Sequence, residues 1–172
     1  MKSRYLWAAV ILLATSAGAA ALVHRAQPAD VRAQVTSQMR TLLEEADPEQ
    51  HNHAGHGVAT TTEVVCGVRV YGYEPAEVKD LAEVRRVYGF HLCGVAEPQR
   101  PWDVAVKLAG PVILDMSTRP PGIQVVEATE NVRFVDRLRQ MFPSPYAEQA
   151  QKEALTPEEM SDLRRRYDDA TR

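Results

Sequence analysis

Cysteine and aromatic residues are scarce in this chain, and neither sign of charge dominates. The 172 residues include two cysteines, three phenylalanines and two tryptophans, with 20 Lys and Arg against 23 Asp and Glu. A formal charge of −3 lacks the basic face that nucleic-acid binding needs. Arg164-Arg165-Arg166 does not supply one, because Asp168 and Asp169 follow it, and the cluster reads as a solvated helix face. The close C-x-x-C spacing of thioredoxin-like sites is missing, which argues against redox catalysis. There is no G-x-S-x-G around a serine, no G-x-G-x-x-G and no phosphate-binding loop. Ser117 and Thr118 stand in a turn, and Asp103 and Asp115 flank strands without an evident acid or base partner.

One long apolar run is present. Leu6 to Val23 follows Lys2 and Arg4 and is closed by His24 and Arg25. A basic tip before an apolar core is an export signal. The run satisfies two readings. Ala17-Gly18-Ala19 and Ala19-Ala20-Ala21 are acceptable cleavage sites for a signal peptide. The extension to Val23 and the polar flank favour an uncleaved signal anchor, since a spanning helix needs about 17–25 residues. No Cys follows the run closely enough for a lipoprotein anchor. Either way, Lys2 and Arg4 stay inside and the remainder is exported. The expected locations are therefore the cell membrane, single-pass with the C-terminal domain outside, or secretion after cleavage.

Export decides how Cys66 and Cys93 are read. Two thiols in one small domain outside the cytoplasm become a structural disulfide. The loop of about 28 residues would be worth roughly 3.5 kcal/mol in the chain-entropy account.

The chain divides at 1–25 (signal anchor or signal peptide), 26–61 (juxtamembrane helix and His-bearing linker), 62–143 (folded domain) and 144–172 (helical tail). Pro28–Glu45 predicts a helix capped by Asp30, with Val31, Val35, Met39 and Leu42 on one narrow stripe. That stripe could pack on the domain, pair with a second copy or lie on a membrane. Ala46–Thr62 has no hydrophobic period and predicts a disordered linker. Thr62–Tyr73 alternates as a strand, with Val64, Cys66, Val68 and Val70 on one face and Val65, Arg69, Tyr71 and Tyr73 on the other. Glu74-Pro75 is expected to open a helix with Val78, Leu81, Val84 and Tyr88 inward and Gly89 after its end. Phe90–Val95 is a short strand. Asp103–Leu108 is another, interrupted by Ala109-Gly110-Pro111. Pro111–Met116 and Ile123–Ala128 form a hairpin about the turn sequence STRPPG. Thr129 is expected to cap a helix over Glu130–Phe142 that Pro143 and Pro145 stop. In the tail, Tyr146–Leu155 is helical and polar, and Thr156-Pro157-Glu158-Glu159 is a capping box for a helix bearing Met160, Leu163 and Tyr167.

These elements predict an α+β fold: an antiparallel sheet of about four strands with two helices packed on one face, an N-terminal membrane helix and a helical C-terminal tail.

His51, His53 and His56 form H-x-H-x-x-H. Imidazoles so spaced can chelate Cu²⁺, Zn²⁺ or Ni²⁺, with Asp47 or Glu49 adding an oxygen. Against this, a disordered loop must be ordered on binding, which lowers affinity. Calorimetry of the protein beside a triple His→Ala variant tests it. His91 reads as a structural histidine within a strand rather than a catalytic base, because spacing supplies no nucleophile or orienting carboxylate. Trp102, Tyr71 and Tyr73 could line a groove, although a core role is commoner for such residues.

The segment KLAGPVILDMSTRPPGIQVVEATENVRFVDRLRQMFP, Lys107–Pro143, resembles a stretch in small uncharacterised exported proteins of actinobacteria. The resemblance implies export and a shared domain and transfers no site residue. The reading that follows is a membrane-tethered or secreted, non-enzymatic binding module facing a protein or cell-envelope partner. Metal handling through His51, His53 and His56 is the alternative.

Overall fold

A computed structural model describes residues 30–46 and 63–172. Within them lie α1 (Val31–Glu45), β1 (Glu63–Glu74), β2 (Arg86–Ala96), β3 (Lys107–Asp115), β4 (Gly122–Val125), α2 (Phe134–Met141), α3 (Ser144–Ala150) and α4 (Pro157–Ala170). The four strands form one antiparallel sheet in sequential order. The fold is α+β. No helix among the described residues is long and apolar enough to cross a membrane. The Leu6–Val23 run and the His51, His53 and His56 linker lie outside the described residues.

Both faces of the sheet are buried, which departs from the expectation of two helices on one face. Face one carries Cys66, Val68 and Val70 of β1, Val87 and Cys93 of β2, and Val112 and Leu114 of β3. Helix α1 covers it with Val35, Met39 and Leu43. Asp30 caps α1 by accepting the Arg32 N–H at 3.1 Å, so the cap follows the sequence pattern. Of the three possible roles for the α1 stripe, packing on the domain is the one adopted. Face two is covered in two pieces. Leu138, Phe142 and Ala147 of the α2–α3 segment pack on Tyr71, Tyr88 and Ile113. Leu163 and Tyr167 of α4 pack on Val65, Ala96 and Trp102. The C-terminal tail is therefore a wall of the core.

The helix expected over Pro75–Tyr88 does not form. A short 3-10 turn at Leu81–Glu83 is capped by Asp80, and β2 begins at Arg86. The spacing of Val78, Leu81, Val84 and Tyr88 mimics a helix face. The chain here gains more by pairing, because β2 is the central partner of both β1 and β3. A strand buried on both faces also loses the apolar–polar alternation that identifies strands. Cys66 and Cys93 are thus direct cross-strand partners in a hairpin, not ends of two strands separated by a helix.

Strand β3 runs unbroken through Ala109-Gly110-Pro111. Val95 N–H donates to the Val106 carbonyl, so odd-numbered residues of β3 turn their backbone groups away from β2. The missing N–H of Pro111 falls on that outer side, just where β4 ends, and its carbonyl accepts the Val126 N–H at 3.0 Å. A proline is tolerated at such an edge position.

Helix α2 starts at Phe134 rather than Glu130. The Thr129 hydroxyl accepts the Val132 N–H within a turn instead. The capping box at Thr156 forms as its sequence predicts, with Thr156 Oγ1 accepting the Glu159 N–H at 3.2 Å and Glu159 accepting the Thr156 N–H at 2.7 Å.

Candidate functional site

Cys66 and Cys93 are bonded, with Cα atoms 4.1 Å apart. That spacing is typical of a directly opposed pair that exchanges no ladder hydrogen bonds, so the backbone groups of Cys66 point away from β2 to the outer edge of the sheet. Residues 66, 68 and 70 share this orientation, since backbone groups alternate along a strand.

The outer edge of β1 runs between α1 on one side and α3 and α4 on the other. Side chains from both sides reach down to it. Cys66 N–H donates to Glu44 Oε1 at 2.8 Å, and Arg166 Nη1 donates to the Cys66 carbonyl at 2.9 Å. Arg166 also pairs with Glu44. Farther along, Arg32 Nη2 donates to the Val70 carbonyl. These two straps occupy edge groups that would otherwise invite another strand. Between them the Val68 N–H and C=O and the Val70 N–H face outward, and no described residue bonds to them.

Two adjoining clefts open over this interval. One, of about 250 Å³, is bounded by Arg32, Thr36, Arg69, Tyr71, Glu153 and Glu159. The other, of about 270 Å³, is bounded by Arg40, Gly67, Val68, Glu158, Glu159 and Asp162. The walls differ in charge. The α1 wall presents Arg32 and Arg40. The α3–α4 wall presents Glu153, Glu158, Glu159 and Asp162. Arg69 of β1 lies against the acidic wall, at 2.9 Å from Glu153 and 3.3 Å from Glu159. Burial opposes its charge, and the hydrogen bonds to Glu153 and Glu159 outweigh that and raise its pKa. Arg40 Nε is shielded from solvent and has no hydrogen-bond partner among the described residues. The Tyr71 hydroxyl donates to the Glu153 carbonyl, and burial pushes its pKa up to about 12. The groove thus offers fixed donors, fixed acceptors and opposed charges. Among the described residues that bound it, no nucleophile stands beside a base.

The other residues singled out from sequence are not gathered here. His91 is fully buried and its Nδ1 donates to the Gly110 carbonyl at 2.9 Å. Its ladder partner is Gly110, whereas Asp115 pairs with Arg86 at the far end of the sheet. Ser117 donates through Oγ and N–H to Asp115 Oδ1. Those two bonds, the side-chain one first, hold the Asp115 pKa below its usual value and make a turn rather than a catalytic pair. Trp102 is a core residue, edge-on to Tyr167 at 5.0 Å between centroids. Tyr73 packs against the α1 cluster. Among the described residues no group of three or more His, Cys, Asp or Glu could hold a metal ion.

Sequence reasoning missed Arg32, Arg40, Glu44, Glu153, Glu159 and Arg166. Arg69 was the available signal, a cation amid the apolar strand VVCGVRVYGY, but its partners lie 84 and 90 residues away. Comparison of the chain with protein-family models, curated proteins and solved structures gives no significant match.

Proposed function

We propose that this chain is an extracytoplasmic, non-enzymatic binding module, tethered by or cut from its N-terminal apolar run, and that the β1 groove is its contact surface. The observation that carries this is the Val68–Val70 interval, where outward-turned backbone groups that bond to no described residue lie at the floor of clefts between two walls of opposite charge, although Val68 is only about 3% exposed. Its neighbours on the edge are strapped by Glu44, Arg166 and Arg32, so the opening is local. Export is supported by the basic-then-apolar N-terminus and by a buried disulfide, which persists in oxidising compartments. The resemblance of Lys107–Pro143 to exported proteins points the same way.

Photo-crosslinking tests the reading. A photoreactive residue is placed at Thr36 or Asp162 in the full chain within its native envelope, with exposed Arg137 on α2 as the control. The expected result is a discrete adduct from both groove positions, absent from Arg137 and lost with Arg40→Glu. Equal labelling from all three positions, or none from the groove, would sink it.

A further inference from the structure

We infer that the groove takes an extended peptide segment as an added strand beside β1, with an acidic residue opposite Val68 and a basic residue next to it. This rests on the reading of the domain as a binding module and names its ligand class.

The register follows from the edge geometry. Val68 turns both its N–H and its C=O outward, so the residue opposite it in an added strand exchanges two ladder bonds with it. Paired residues place their side chains on the same face of a sheet. The Val68 side chain lies on the α1 face, so the residue opposite it also points toward α1. The charges there are Arg32 and Arg40, and Arg40 brings an Nε with no partner among the described residues. A carboxylate fits that position. The next residue faces the other way, toward α4, beside Gly67. There the cleft is bounded by Glu158, Glu159 and Asp162. Glu159 is engaged by Arg69 and Asp162 by Arg165. Glu158 makes no ion pair among the described residues, so a basic side chain fits. The Val70 N–H extends the ladder by one further bond, and the Glu44–Arg166 strap closes the opposite end. The slot therefore reads about three residues. Main-chain bonds supply affinity in strand addition, and the alternating side chains supply selectivity.

A second copy of the chain is the less suitable occupant. Two β1 edges meeting head-on would bring Arg40 against Arg40 and set four flanking helices against each other.

The test uses the full chain in detergent micelles at low ionic strength, with the fluorescent peptide acetyl-Thr-Val-Glu-Lys-Val-Thr-amide, in which, antiparallel to β1, Glu lies opposite Val68 and the following Lys opposite Gly67. Fluorescence anisotropy is expected to show saturable binding. Methylation of the glutamate backbone nitrogen, which removes the bond to the Val68 carbonyl, should weaken binding at least tenfold. Replacing Lys and Glu by Gln should weaken it at least fivefold, as should Arg40→Gln. Amide exchange at Val68 should slow several-fold in the complex. Binding unchanged by N-methylation, or exchange at Val68 unchanged, would overturn strand addition while leaving a charged binding groove. Peptide failure with the Thr36 and Asp162 crosslinks intact would overturn the ligand class alone. Failure of both would overturn the module reading as well. A dimer in sedimentation that Arg40→Glu abolishes would make a second copy the occupant and also overturn the inference.

Discussion

Glu44 and Arg166 stand 122 residues apart in the chain and meet over the outer edge of β1. Glu44 comes from α1 on one face of the sheet and Arg166 from α4 on the other. Each also holds a backbone group of Cys66. The pair is a clasp between the two helical layers and a guard on the strand edge. Both side chains are about a quarter exposed, so the link is neither fully screened by water nor fully desolvated. A double-mutant cycle with Glu44→Gln and Arg166→Gln is expected to give a coupling energy of roughly 1–2 kcal/mol. Additive losses in urea melts would show that the two layers are held independently.

The disulfide should be both stabilising and protected. The bridge spans 27 positions, for which the chain-entropy account gives roughly 3.5 kcal/mol. Cys66 and Cys93 are buried beneath α1. The double Cys66→Ser, Cys93→Ser variant is expected to lose stability on that scale. In native buffer, dithiothreitol should leave the bridge intact, and in denaturing urea it should reduce it readily. Rapid reduction of the native protein, followed by thiol labelling and mass spectrometry, would contradict the burial.

Removal of α4 should collapse one face. Leu163 is about 1% exposed and Tyr167 fully buried, and Tyr167 donates its hydroxyl to the Arg100 carbonyl at 3.0 Å. Leu163→Ala is expected to cost about 2–5 kcal/mol. Truncation after Leu155 exposes Val65, Ala96 and Trp102 together and should give an aggregating or unfolded chain by circular dichroism and size exclusion. A truncated protein with an undiminished melting temperature would mean that α4 contributes nothing to the core.

Close packing at Gly94 makes a further check. A methyl group added there would lie 2.8 Å from the Trp102 ring, and the ring is fixed by Tyr167. Gly94→Ala should destabilise by about 1–3 kcal/mol through overpacking, and Trp102→Leu in the same chain should recover part of the loss. Greater damage in the double variant than the sum of the singles would refute the clash.

Alkaline pH should unfold the protein through its buried tyrosines. Burial raises the pKa of Tyr71 to about 12 and moves those of Tyr88 and Tyr167 upward as well. In the unfolded chain a phenol ionises near pH 10. Their contribution is therefore complete below about pH 10 and declines as pH rises through the native values. Absorbance at 295 nm should show these three ionising late and together with loss of ellipticity. Early, independent ionisation of all three would contradict their burial.

Several elements were legible because their signals are local. The Asp30 cap and the Val35–Met39 stripe mark α1, and the Thr156 capping box marks α4. The turn sequence between Asp115 and Gly122 marks the β3–β4 hairpin. The Cys66–Cys93 bridge needed only the count of cysteines and an export signal. Of strand β2, the half Phe90–Val95 was legible and the half before it was not. Val84, Val87 and Tyr88 serve two buried faces at once, and their spacing fits a helix as well as a strand.

The groove belongs wholly to tertiary structure. Arg32, Arg40, Glu153 and Glu159 are each ordinary surface residues in sequence, and Arg69, though a cation in an apolar strand, does not name its partners; the five lie on four separate elements or the turns beside them. What determines their proximity is that both sheet faces require cover, so α1 and α4 must flank the same edge strand. Local propensity and periodicity are properties of neighbours in sequence, and they decided the elements. Which charges face each other is set by long-range burial, and only the folded chain decided that.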